Sequence, residues 1–230
     1  MMRKIIGKIL DTVLPPAKTV SKEEAGAGTD APNPKVKTIS LEELLGGGAP
    51  PKEPELRVIG LYSSVEDEKI AELTQALLYL NEMNRLLPEG EKKKPVEFYI
   101  NTYGGSADDM FALYDVMQVI MEEPEIHTIG VGKVMSAGTL LLAAGTKGKR
   151  KIGKNCRVMI HNVAAGNFGT LPNLTNELEA IQTLQEDYIT AMVENTKFTR
   201  KKLEKLLNEK VNIYLSAEEA VKYGLADEIM

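Results

Sequence analysis

The sequence predicts an α/β fold for most of its length, and three observations carry that expectation. From residue 56 onward, short runs of β-branched and apolar residues alternate with longer stretches whose apolar positions recur every three or four residues. The strand-like runs close on turns of small or polar residues, among them Tyr103-Gly104-Gly105, Met135-Ser136 and His161-Asn162. The chain has 230 residues, 43% of them hydrophobic, which is enough to bury a sizeable core in one domain with appendages. Strand–helix alternation implies βαβ units with right-handed crossovers.

The elements follow in order. "LRVIGLYS" (56–63) reads as a strand by its apolar and β-branched content. A helix follows, with Ile70, Leu73, Leu77, Leu80 and Leu87 on one face and acidic residues at its start, where they suit the helix dipole. "VEFYIN" (96–101) is the second strand. Ser106 caps the next helix, whose apolar face holds Met110, Leu113, Met117 and Ile120, with Asp108 and Asp109 in its first turn. "IHTIGVG" (126–132) is a third strand, "SAGTLLLAAG" a helix ending at Gly145, and "CRVMIH" (156–161) another strand. A long helix then carries Leu174, Leu178, Ile181, Leu184, Tyr188 and Met192 in register. The last helix opens with Ser216 and Glu219 at capping-box spacing and closes near Gly224.

Residues 1–55 differ in kind. "MMRKIIGKILDTVLPP" is mildly amphipathic, and Lys8 and Asp11 interrupt its apolar stretch, so it reads as a short docking or propeptide helix rather than a secretory signal. Residues 15–55 are rich in Pro, Gly, Ala and charge, with only "ISLEELL" as a short helical run, and read as a linker or mobile arm. The domain expectation is therefore a largely flexible extension over 1–55 and a folded domain over 56–230. No apolar run reaches the roughly 18 residues that span a bilayer. A net charge of −5, interspersed in sign, gives no basic field for nucleic acid. The single cysteine, Cys156, excludes an internal disulfide framework and a cysteine-based zinc site, and suits a reducing, cytosol-like compartment.

In α/β sheets, sites gather where strands end and helices begin. Ser136 sits at such a place, where it is either a helix cap or a nucleophile held up on a turn. His127 lies near the start of its strand, at the opposite sheet edge, whereas His161 ends a strand at the edge Ser136 shares. An imidazole with an ordinary pKa of about 6.5 suits a general base near neutral pH. Acyl transfer also needs donors for the developing oxyanion. The backbone N–H of Ala137 follows the serine, and a second can come from Gly104-Gly105, where missing side chains let a carbonyl approach. Met110, Met117 and Met121 read as core or interface filler. Asp108 and Asp109 have no further ligand cluster beside them, so neither a metal nor another cofactor is expected.

The segments "FYINTYGGSADDMFALYDVM", "GVGKVMSAGTLLLAAGTKGKR", "NCRVMIHN" and "YLSAEEAVKYGLADEI", in this order and spacing, resemble the Clp protease proteolytic subunit over residues 56–230. The resemblance implies a Clp/crotonase-like ββα superhelix with a protruding handle helix in the region of about 165–200. It implies Ser136 as nucleophile, His161 as general base, and the Gly105 and Ala137 N–H groups as the oxyanion hole. Gly104, Met135, Asn162 and Val163 would then contact the substrate backbone, which the family binds by β-augmentation. The resemblance further implies heptameric rings paired as a tetradecamer. Unfolded polypeptide substrates would be delivered by an AAA+ ATPase unfoldase, since this chain has no phosphate-binding loop of its own.

Several positions depart from the family pattern. The family's aspartate, two residues before the aromatic of its "SAEEA" motif, is replaced by Asn212. In a Ser-His-Asp triad that exchange lowers turnover about 10⁴-fold, although Cys-His-Asn enzymes exist. A weak Ser-His-Asn protease, a protease that recruits another carboxylate such as Glu209, and an inactive ring subunit all stay open. Thr102-Tyr103 stand for Ser-Pro before Gly-Gly, "NVAAG" for Gln-Pro-Leu-Gly-Gly after the histidine, and Val134-Met135 for two small residues. The leading expectation is a cytoplasmic serine endopeptidase whose activity Asn212 reduces unless another residue orients His161. The other readings are a non-catalytic ring subunit, a crotonase-like acyl-CoA enzyme and a phage-type maturation protease.

Overall fold

Three parallel strands, β1 (Val58–Leu61), β2 (Val96–Thr102) and β3 (Ile126–Met135), form one side of the sheet. These and the following elements come from a computed structural model that describes residues 56–121, 124–209 and 211–230. The expected extension over 1–55, with its "ISLEELL" run, lies outside the described residues. In β2, Val96, Phe98, Ile100 and Thr102 point inward and are buried, the two-residue period of a strand with one face on the core. Helix α1 (Asp67–Arg85) connects β1 to β2, and α2 (Ala107–Ile120) connects β2 to β3. Ser106 caps α2 as expected, its hydroxyl accepting from the Asp109 N–H at 3.2 Å. Met110, Leu113 and Met117 face inward from α2 and are fully or almost fully buried.

After β3 come α3 (Ala137–Ala143), β4 (Lys151–Ile152), β5 (Arg157–Ile160), α4 (Leu171–Asn195), α5 (Arg200–Glu209), β6 (Ile213–Leu215), α6 (Ala217–Tyr223) and β7 (Glu228–Ile229). The α/β expectation is met, with helices joining a mainly parallel seven-stranded sheet. Strand β3 divides its partners along its length. Ile129 and Gly130 pair with β4, whereas Lys133, Val134 and Met135 pair with β5. Between Gly130 and Val134, β3 advances four residues while β2 advances only two, from Ile100 to Thr102. Gly132 takes up the bulge at φ +67°, a conformation glycine adopts without strain.

Four elements had no counterpart in the sequence reading. Strands β4 and β7 have two residues each, too short for any periodic pattern to register. Strand β6 has three residues and runs antiparallel to β5, the one antiparallel pairing in the described sheet. Helix α5 had a readable signal in Leu203, Leu206 and Leu207, of which Leu203 and Leu207 are buried.

The C-terminal segment is tied to the body by a buried ion pair. Arg150, 4% exposed, donates through Nε and Nη2 to the two carboxylate oxygens of Asp227 at 2.9 and 2.7 Å. Its Nη1 donates to the carbonyls of Ala143 and Asn195 at 2.9 and 2.6 Å, which joins the C-terminal ends of α3 and α4. One guanidinium therefore fixes three elements relative to one another.

Candidate active site

The parallel strands β2, β3 and β5 end together, so the residues that follow them meet at one edge. Ser136 follows β3, and its N–H donates to the carbonyl of Met159 at 2.8 Å, so the β3–β5 ladder runs up to the serine itself. There the chain turns sharply into α3. Ser136 has φ +52° and ψ −124°, the single positive φ of a non-glycine residue among the described residues. Such a conformation costs on the order of 1–3 kcal/mol and persists only where its surroundings over-determine it.

Although Ser136 stands at the N-cap of α3, its side chain makes no capping bond. Its Oγ lies 2.8 Å from His161 Nε2 instead. A serine that donates to Nε2 requires the ring proton on Nδ1, which then needs an acceptor of its own. Among the described residues no hydrogen bond is formed by Nδ1.

The elbow is held from two sides. Thr139 donates its hydroxyl proton to the Ser136 carbonyl at 2.6 Å, so at the 2.9 Å contact between Thr139 Oγ1 and Tyr188 Oη the tyrosine is the donor. From the other side Gly104, at φ +100°, packs so closely that a Cβ there would lie 2.6 Å from the Ser136 Cβ and 2.9 Å from the Met135 carbonyl oxygen. Thr102 positions that glycine, accepting from its N–H at 3.0 Å and donating to the Ser63 carbonyl at 2.6 Å. Gly105 forms a parallel bridge with Val65, through the Val65 N–H to Gly104 and the Ser106 N–H to Val65. Neither bond uses the Gly105 N–H.

A cavity of about 330 Å³ opens on this edge, walled by Gly105, Ser136, Ala137, His161, Asn162 and Val163 together with residues of α2 and α4. Gly104 and Met135 are not on its wall. Asn162 turns its side chain away, donating to the Leu207 carbonyl at 3.2 Å. The Val163 N–H donates to Gln185 Oε1 at 2.7 Å, and residues 162–169 form no strand. Asn212 precedes β6. The β5–β6 register pairs Ile160 with Ile213, so its continuation sets Asn212 opposite His161. Asn212 is exposed, and no hydrogen bond joins it to the ring. His127 lies at the far end of β3, 2.9 Å from Glu125 Oε2.

A model of the Clp protease family matches residues 54–230. The chain belongs to the Clp protease family. It is 34% identical over 174 residues to the ATP-dependent Clp protease proteolytic subunit of Deinococcus radiodurans, covering 76% of this chain and 80% of that one. Against the ATP-dependent Clp protease proteolytic subunit 1 of Prochlorococcus marinus subsp. pastoris the identity is also 34%, over 181 residues, with 76% and 89% covered. The strand–turn–helix edge described above lies wholly within the matched region.

Against the family pattern, two departures acquire a local physical explanation. Val163 stands where the Clp pattern has a proline, and the N–H that a proline would lack is taken up by Gln185. Tyr103, in the other proline's place, lies beneath Lys133, whose Nζ is 4.4 Å from the ring centroid. Val134 is buried in the core and does not reach the cavity. Tyr188 and Gln185 were not singled out as site residues because they meet it across 49 and 22 residues, whereas Thr139 reaches the Ser136 carbonyl from only three residues away. The polar Thr139 and Tyr188 within otherwise apolar helical faces were the available signal.

Among the described residues there is no cluster of three or more potential metal ligands, and no helix is long and apolar enough to cross a membrane.

Proposed function

We propose that this Clp-family chain is a serine endopeptidase working through Ser136 and His161. The observation that carries the reading is the 2.8 Å contact between Ser136 Oγ and His161 Nε2, made by a serine in a strained elbow that leaves its cap unformed. His161 removes the hydroxyl proton as Oγ attacks a peptide carbonyl, and returns it to the leaving amine as the tetrahedral intermediate collapses. Water then hydrolyses the acyl-enzyme with the same histidine as base. The N–H groups of Gly105 and Ala137, not engaged by the bonds described above, receive the oxyanion. Substrate backbone lies along Gly104, Met135, Asn162 and Val163. Asn212, just before β6, stands opposite the histidine in the continued β5–β6 register, with an amide in place of a carboxylate.

By kinship with proteolytic subunits, the working form is a pair of heptameric rings with α4 as the interlocking handle, fed with unfolded polypeptide by an AAA+ ATPase. No metal or cofactor takes part. The lone, buried thiol of Cys156 suits a reducing cytoplasm. A second reading, a ring subunit with little or no catalysis, draws its support from Asn212, which makes no bond to His161.

A fluorophosphonate probe decides between the two. Covalent labelling of the full chain, lost in Ser136→Ala, supports the peptidase. An unlabelled wild type whose rings are intact by native mass spectrometry overturns it in favour of the regulatory subunit.

A further inference from the structure

The unfilled place in this site is the acceptor for His161 Nδ1. We infer that Glu209 occupies it, giving a Ser136–His161–Glu209 triad whose acid comes from the end of α5 rather than from the loop before β6. This rests on the peptidase reading above and assigns the acid that the family motif no longer provides.

Three features converge on Glu209. A second cavity, of about 410 Å³, also has His161 on its wall, together with Asn162, Leu207, Asn208, Glu209 and Val211. Among the described residues, His161 and Glu209 are its only titratable wall residues. The same cavity does not include Asn212. Second, the bond from Asn162 Nδ2 to the Leu207 carbonyl staples the last turn of α5 to the residue that follows the histidine. Glu209, two residues on, is carried by the same helix end that this bond fixes next to the residue following His161.

Third, the local electrostatics fit a cationic neighbour. Glu209 is the last residue of α5, and that helix has no basic residue in its last turn. A carboxylate at a helix C-terminus runs against the dipole, whereas an imidazolium there is favoured. Glu209 pairs with Lys205, one turn back at 3.6 Å, with both side chains more than half exposed. Such a pair is worth little, so turning the carboxylate toward Nδ1 costs little. Once there, it accepts the Nδ1 proton, selects the tautomer that leaves Nε2 free for Ser136, and stabilises the imidazolium formed during attack. No proton passes to the carboxylate.

The experiment uses the full chain, fluorophosphonate labelling and hydrolysis of a fluorogenic peptide. Glu209→Gln should lower kcat by about 10²-fold or more with KM changed less than about threefold, because a group acting on the imidazolium works in the transition state. Glu209→Asp should recover part of the loss. Adding Asn212→Asp to Glu209→Gln should restore activity by returning a carboxylate to the position opposite His161, which a merely structural role for Glu209 would not allow. Thermal unfolding identifies any variant that fails to fold, and the Asp variant then serves as the reading. Glu209→Gln with kcat within twofold of wild type overturns the inference while leaving the peptidase standing. A wild type unlabelled at Ser136 removes both.

Discussion

The Tyr188 hydroxyl donates to Thr139 Oγ1 at 2.9 Å, and Thr139 in turn donates to the Ser136 carbonyl at 2.6 Å. Through these two bonds α4 reaches the strained elbow without touching Ser136 Oγ. Burial pushes the Tyr188 phenol up to about 12, so it remains a donor throughout the working pH range. Tyr188→Phe should cost about 1 kcal/mol in unfolding free energy. Thr139→Val, which severs both bonds, should cost about 1–3 kcal/mol and lower peptide turnover more than it raises KM. Denaturant unfolding and steady-state kinetics on both variants check this; equal kinetics in wild type and Thr139→Val would show that the elbow needs no such support.

Gly104→Ala tests the close approach on the other side. The added methyl group would lie 2.6 Å from the Ser136 Cβ and 2.9 Å from the Met135 oxygen, at a φ of +100° that alanine avoids. The backbone must shift at the elbow. A loss of about 1–3 kcal/mol in stability is expected, with fluorophosphonate labelling slowed at least tenfold. Unchanged labelling would mean that the Gly-Gly turn and the elbow move independently.

The Arg150–Asp227 pair predicts an acid response. The Arg150 guanidinium holds the Asp227 carboxyl down from 3.8 to about 2. A depressed folded-state value means that the contribution is fully present above the unfolded value, and is lost as pH falls from about 4 toward 2. Wild type should therefore lose about 1 kcal/mol from this pair over that window, after allowance for solvent screening. Asp227→Asn should be less stable at pH 7 by about 3 kcal/mol, because Arg150 is left buried and unpaired, and the difference should narrow as pH falls. Urea unfolding from pH 7 to pH 2.5 measures it; a difference independent of pH would sink the argument.

Cys156 gives a conformational readout. It is 2% exposed, and burial pushes its thiol up to about 11. Iodoacetamide at pH 8 should leave the native chain unmodified while alkylating it rapidly in urea. Modification of the native protein at the rate of the denatured one would show that β5 opens readily.

Much of the fold was legible because its long elements obey one period throughout. Strand β2 and the apolar faces of α1 and α2 could be read directly, and the Ser216–Glu219 capping box formed as its spacing implied, whereas of the face read on α4 Leu174 and Leu178 are exposed and Tyr188 and Met192 buried. Elements of two or three residues could not be read, since β4, β6 and β7 exist through tertiary pairing alone. The meeting of Ser136 with His161 followed from both being placed at strand ends on one sheet edge. What surrounds them did not follow. Tyr188 and Gln185 are brought in by the docking of α4, and the contact of α5 with Asn162 depends on how that helix docks, which no local pattern encodes; only the Thr139 bond to Ser136 is local.

Strand β3 belongs to two structures at once. Its first half is held between β2 and β4, while beyond Gly132 its second half pairs with short β5 and, at Val134 alone, with Thr102 of β2. Local opening of the distal half would carry Ser136 away from His161 without unfolding the domain, and amide exchange faster past residue 132 than before it is the expected sign.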